Sequence, residues 1–202
     1  MVILTSFQQL LIWLEGAPVG RTASYSLSVI PLFVLMGQLA MHSGLSSVLF
    51  RSARAWFGHQ RGGIAVATIG GCAAFGAICG SSLATGATMA SVSLPEMKKL
   101  GYSGALSTGC LAAGGTLGIL IPPSIILVIY AIISEQSIGD LFLAALIPGI
   151  LATFYYIIAI WLFVRIKPEA GPAGQRCSWR ERLESLKYVW PVIFIFFVVI
   201  YT

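Results

Sequence analysis

From Gly62 to Pro95, and again from Leu100 to Ser134, the chain carries no Asp, Glu, Lys or Arg. A helix that crosses a bilayer needs roughly 20 apolar residues. At 34 and 35 residues, each block is too long for one span and too short for two. Both are rich in glycine, with seven in the first and six in the second. The uncharged stretches 22–50 and 141–164 each fit one spanning helix with its flanks, and 188–202 reads as the start of a further, truncated one. Little is left over: 57% of residues are hydrophobic and only 9% charged, against roughly 25% charged in a soluble domain. Such a chain cannot cover its own surface with polar side chains. It reads as an all-α polytopic membrane protein with lipid around most of it.

The net charge of +5 does not indicate nucleic acid, because the basic residues sit in short runs between apolar blocks. In a membrane protein that pattern encodes orientation. Block 62–95 is either an ordinary span with long flanks or a re-entrant hairpin that enters and leaves on one face. Taken as a hairpin, it places loops 51–61, 96–99 and 165–187 on one side with 11 of the 12 Lys+Arg residues, leaving Arg21 opposite. Taken as a full span, it divides the same residues 9 to 3. The positive-inside rule favours the hairpin, with both feet in the cytoplasm. The loop carrying Glu135 and Asp140 then faces outward.

A hairpin tip at membrane depth leaves backbone N–H and C=O groups without helical partners, so it must be buried in protein or line a polar cavity. The middle of the block reads AICGSSLAT, Ala77 to Thr85. Gly80 supplies the backbone freedom of a tight turn, and Ser81, Ser82 and Thr85 supply hydroxyl oxygens beside it. Small residues also let helices approach closely, as Gly76 and Gly80 would at GxxxG spacing.

Block 100–134 contains GTLGILIPPS, Gly115 to Ser124. Pro122 and Pro123 lack donors and clash with the turn before them. Each also pushes its preceding residue, Ile121 and Pro122, toward extended geometry. With Gly114, Gly115 and Gly118 loosening the preceding turn, the expectation is a transmembrane helix broken at mid-membrane. Broken helices of this kind bind cations through free carbonyls and anions at the half-helix N-terminus; a proline kink without a ligand is the plainer alternative. Neither block holds an ionisable carboxylate or a histidine for a proton relay, so hydroxyl and carbonyl oxygens favour sodium as the coupling ion.

Enzyme chemistry finds no support. Ser81 or Ser82 would need a base, and His42 and His59 both lie outside the hairpin tip. There is no HExxH zinc motif, and Asp140 is the only Asp. Cys72, Cys79, Cys110 and Cys177 form no CxxC pair and read as packing residues, with no metal site or other cofactor. The segment 1–21 lacks signal-peptide features. It reads as an apolar, interfacial segment, with Gln8, Gln9 and Glu15 interrupting a stretch too short to span.

Six segments, in order and spacing, resemble the large membrane subunit of the TRAP transporters, the tripartite ATP-independent periplasmic systems. They are SVIPLFVLMGQLA (Ser28–Ala40), the Gly62–Gly63 pair after a basic loop, GSSLAT (Gly80–Thr85), LPEMKKLGYS (Leu94–Ser103), GTLGILIPPS (Gly115–Ser124) and SIGDLFLAALIPG (Ser137–Gly149). The resemblance covers about Ser26 to Arg165. It implies an inverted-repeat transporter half, with one re-entrant hairpin and one broken transmembrane helix, and a second repeat beyond Thr202. It also implies sodium-coupled import of a small organic acid such as a C4-dicarboxylate across a bacterial or archaeal cytoplasmic (inner) membrane. The implied partners are a small TRAP membrane subunit and a periplasmic substrate-binding protein. By position, Ser81, Ser82, Thr85, Gly114, Thr116 and Gly118 would hold sodium, and Ser82, Thr116, Pro122, Pro123 and Ser124 would meet the substrate. Alternatives in other classes are a different sodium- or proton-coupled organic-anion transporter, and a non-transporting membrane subunit whose small residues serve packing alone.

The connector 165–187 opens as a loop at Pro168, Gly171, Pro172 and Gly174, and WRERLESLKYVW (Trp179–Trp190) reads as an amphipathic cytoplasmic helix on the membrane surface. Lys98 and Lys99 serve as topological anchors. The hairpin topology predicts that single cysteines at Gly62 and Lys99, in an otherwise cysteine-free chain, both react with an impermeant thiol reagent from the cytoplasmic face. Reaction from opposite faces would refute it.

Overall fold

The computed structural model describes residues 25–174, 176–187, 189–190, 192–194 and 198. The expected interfacial segment 1–21 lies outside them, as does most of the expected span at 188–202. Among the described residues the chain is all-helical: α1 (Tyr25–His42), α2 (Leu45–Phe57), α3 (Gly63–Cys79), α4 (Ser82–Lys99), α5 (Gly104–Leu120), α6 (Ile125–Ser134), α7 (Ile138–Ile166) and α8 (Trp179–Lys187). A short 3-10 turn at Pro168–Ala170 follows α7.

The centre of the bundle is α3. It is apolar all round, the pattern of a fully enclosed helix, and Ile64, Ala65, Ala67, Ile69, Cys72 and Phe75 are completely buried. It packs most extensively on α5 and α2, and α4 covers both α3 and α5. The outer surface has a different composition. Along α7, Leu143, Ile147, Ile150, Leu151 and Phe154 are exposed, and on α1 so are Leu32, Leu35 and Leu39. Bulky exposed side chains on a 29-residue apolar helix, about 43 Å long at 1.5 Å per residue, make an apolar outer wall. Among the described residues, α7 is the one single helix long and apolar enough to cross a membrane, and each of two bent pairs, α1 with α2 and α5 with α6, can do so as one broken span.

Block 22–50 is expected as one spanning helix, and the structure divides it. α1 ends at His42, Gly44 adopts a left-handed φ of 74°, and α2 leaves at 62°. The Ser43–Gly44 turn accounts for the break. The sequence beyond it, LSSVLFRSARAWF, is amphipathic: Leu49, Phe50, Ser52 and Ala55 are buried while Arg51 is exposed. The α8 helix lies against α2. Trp179 meets Trp56 edge-on at 6.4 Å, and the Ser52 hydroxyl donates to the Ser185 carbonyl at 2.9 Å.

Main-chain hydrogen bonds lace one end of the bundle together. The N–H groups of Gly62 and Ser103 donate to the carbonyls of Gly171 (2.9 Å) and Ala170 (3.0 Å), and that of Gly174 donates to Gly58 (2.9 Å). The Ile64 N–H donates to the Tyr102 hydroxyl at 3.1 Å, and Arg54 pairs with Glu96 at 2.8 Å. The two ends of block 62–95 therefore lie side by side, next to the connector after α7.

Candidate functional site

At the far end of the hairpin the turn takes two residues. Gly80 closes α3 with a left-handed φ of 64°, a conformation that costs a residue with a Cβ roughly 1 kcal/mol or more. Ser81 is extended and caps α4, its hydroxyl accepting from the Ala84 N–H at 3.4 Å. Opposite this tip, α5 ends at Leu120, and Ile121 is extended at φ −87° and ψ 123°. The chain re-enters a helix at Ile125 after Pro122, Pro123 and Ser124, with α6 bent 40° from α5. The two prolines break the helix as expected from their chemistry.

The tip and the break touch. A Cβ on Gly80 would stand 2.8 Å from the Pro123 carbonyl oxygen, and one on Gly76 would stand 2.7 Å from the Gly118 Cα. A Cβ on Gly118 would stand 2.6 Å from Thr85 Oγ1 and 2.8 Å from the Ser81 carbonyl oxygen. One direct bond crosses the junction: the Ile125 N–H, at the start of α6, donates to the Gly80 carbonyl at 3.3 Å. Two sequence blocks with nothing polar but hydroxyls and main chain thus meet backbone to backbone.

Two of those hydroxyls are orphaned. Thr85 and Ser124 are completely buried, and neither side-chain oxygen has an oxygen or nitrogen hydrogen-bond partner. The one side chain that hydrogen-bonds with Thr85 is the Cys79 thiol, a weak partner. Thr88, one turn further along α4, also lacks a partner for its hydroxyl, whereas most other helix hydroxyls behave differently. Thr68, Ser93, Ser107, Thr108, Ser134 and Thr153 each donate to the carbonyl four residues back. Ser124 stands at the N-cap of α6 yet makes no cap bond. Leaving a buried hydroxyl unsatisfied costs about 1–3 kcal/mol.

The structure brings Ser81, Thr85, Gly118, Pro123 and Ser124 together and leaves other expected site residues apart. Thr116 is on the opposite face of α5 from Gly118. Its exposed hydroxyl donates to the Ala113 carbonyl at 2.7 Å and lies 3.2 Å from the Tyr156 hydroxyl of α7. Gly114 packs one turn below the junction, where a Cβ would stand 2.8 Å from Cys72 Sγ. Ser82 opens α4 and is partly exposed, whereas Pro122 and Pro123 are fully buried. Gly76 was legible only as a GxxxG packing residue, and packing is what it does, against Gly118. Tyr156 had no signal in the sequence, since an aromatic residue in a lipid-facing helix is unremarkable.

An all-helical membrane bundle in which a hairpin tip docks into a broken helix is the architecture of a polytopic membrane transporter component. The family description "Tripartite ATP-independent periplasmic transporter, DctM component" matches residues 3–202, and the chain belongs to that family, one of transporter components and not of enzymes. It is 41% identical over 170 residues to the C4-dicarboxylate TRAP transporter large permease protein DctM of Pseudomonas aeruginosa, covering 84% of this chain and 39% of that protein. It is 34% identical to the ectoine TRAP transporter large permease protein TeaC of Halomonas elongata, over 84% of this chain and 39% of that one. With the sialic acid TRAP transporter permease protein SiaT of Haemophilus influenzae it shares 35% identity, over 80% of this chain and 26% of that one. The chain thus spans about two fifths of the length of the first two relatives.

The close approach predicts a sharp contrast between two conservative substitutions in the full-length permease. Gly118→Ala puts a methyl group into the Thr85 and Ser81 oxygens and should destabilise by about 1–3 kcal/mol, read as a lower thermal unfolding temperature of the purified protein. Gly70→Ala, whose Cβ would meet only Ala53 at 3.9 Å, should leave that temperature unchanged or raise it.

Proposed function

We propose that this chain forms half of the transport core of a TRAP large permease that imports a small organic acid, such as a C4-dicarboxylate, with sodium as the coupling ion. The observation that carries the reading is the pair of buried hydroxyls at the junction of tip and break, neither of which has an oxygen or nitrogen partner. Close packing accounts for the glycines but not for Thr85 and Ser124, because alanine or valine would fill the same space without the cost of an unsatisfied hydroxyl. A cation accepts what these oxygens have to offer: lone pairs, together with main-chain carbonyls such as those of Ser81 and Pro123. Hard cations prefer such oxygen ligands, and no carboxylate or histidine stands in either block to carry a proton instead. Thr116, engaged with Tyr156, is not part of the proposed ion site.

The substrate would bind on the side of the junction where Ser82 is partly exposed, completed by the part of the permease beyond this chain. The relatives are named for C4-dicarboxylate, ectoine, isethionate and sialic acid, so the acid's identity is set by more than this half. A periplasmic substrate-binding protein and a small membrane subunit complete the proposed system, in the cytoplasmic membrane.

The test uses the full-length permease with its small subunit and binding protein in proteoliposomes. Thr85→Val, nearly isosteric, should raise the sodium concentration needed for half-maximal uptake by about tenfold, the equivalent of about 1.4 kcal/mol, without reducing membrane insertion. Thr116→Val should leave it unchanged. Sodium dependence unaltered in Thr85→Val, or uptake driven by protons without sodium, would overturn the reading.

A further inference from the structure

We propose that the basic recess at the foot of the hairpin binds the phosphate headgroup of an anionic phospholipid. The recess encloses about 270 Å³ and is lined by Gln60, Arg61, Trp161, Val164, Arg165 and Pro168. It forms where the loop before α3 meets the last turns of α7, and its walls are fixed by backbone packing. A Cβ on Gly62 would stand 2.9 Å from Val164 Cγ2, and the Gly62 N–H is held by the Gly171 carbonyl. Arg61 and Arg165, far apart in sequence, are set on one rim by those contacts.

Two guanidinium groups and no carboxylate line the recess. Among the described residues the ion pair is Arg54 with Glu96, so neither arginine is neutralised by a carboxylate. Glu169 lines the adjacent recess, beside Lys167 and Ser103. The Arg165 guanidinium lies over the Trp161 ring, 4.4 Å from its centroid. Stacking of this kind holds the plane of the group while leaving edge N–H donors for a phosphate. Gln60 adds an amide beside Arg61.

The same guanidiniums would meet a soluble phosphate, but the surroundings favour a lipid. Trp161 is half exposed near the end of a 29-residue apolar helix, the position where tryptophans sit at headgroup level. Leu162 (48% exposed) and Ile166 (80% exposed) continue the surface on either side of Arg165, offering an apolar wall for acyl chains that a free anion cannot use. Basic pockets between helices on the cytoplasmic side are the usual setting for anionic headgroups. An occupied site would tie the loop entering α3 to the last turn of α7. The proposal rests on the cytoplasmic assignment of this end and is independent of the sodium reading.

The experiment places the full-length permease in nanodiscs of phosphatidylethanolamine with a minor fraction of phosphatidylglycerol, and measures retained phosphatidylglycerol by native mass spectrometry. The double variant Arg61→Gln/Arg165→Gln should retain it about thirtyfold more weakly, at about one elementary surface contact per arginine. Lys98→Gln/Lys99→Gln, which removes equal charge from the same end but none from the recess, should change retention far less than the arginine variant does. Equal losses in the two double variants, or no loss in the first, would overturn the proposal. Displacement of the lipid by inorganic phosphate at near-physiological concentration would also overturn it, in favour of a soluble anion. Should the glutamine variant fail to insert, Arg61→Lys/Arg165→Lys decides. Lysine keeps the charge but loses the fork and the stacking, so retention should fall, and unchanged retention would sink the idea.

Discussion

Everything around the candidate site depends on one contact, the approach of the α3–α4 tip to the α5–α6 break with no side chain between them. Gly76 lies against Gly118, and Gly80 against the Pro123 carbonyl. Any Cβ at these places meets main chain, which cannot swing aside as a flexible side chain would. The contact is also what excludes other partners from Thr85 and Ser124. Were the two segments a few ångströms further apart, water would satisfy both hydroxyls and the junction would have no special chemistry. Close packing and unsatisfied oxygen are therefore the same structural fact seen from two sides.

The opposite end of the bundle is held in a different way. There the chain uses hydrogen bonds and charge: three main-chain bonds from the connector to the loops beside α2, α3 and α5, the Tyr102 hydroxyl on the first turn of α3, and the Arg54–Glu96 pair. That division suits the bilayer. Ionic and exposed main-chain groups are costly in hydrocarbon, so they gather at the end where the basic loops lie. The buried end relies on glycine and hydroxyl alone.

The two segments that form the junction were legible in the sequence because each broke a rule. An uncharged block of awkward length with GSS at its centre, and a PP pair inside an apolar stretch, have few structural solutions, and the helix breaks fall at Gly80–Ser81 and Ile121–Ser124. What sequence could not give was direction. Thr116 and Gly118 are two residues apart, which on a helix turns them to nearly opposite faces; nothing in GTLGILIPPS says which face looks at the hairpin. The Gly118 face does, and Thr116 looks toward Tyr156. The division of block 22–50 was missed for a related reason. Hydropathy continues through Ser43–Gly44, and only the left-handed Gly44 reveals that the helix ends. The resemblance rests on six segments together, and the family match extends over residues 3–202 of this chain.

Sodium binding to the purified full-length permease, followed by calorimetry without substrate, tests the central claim most directly. The account predicts that Thr85→Val combined with Ser124→Ala removes one saturable sodium site while Thr116→Val removes none. Undiminished binding in the first variant, or a site lost in the second, would contradict it.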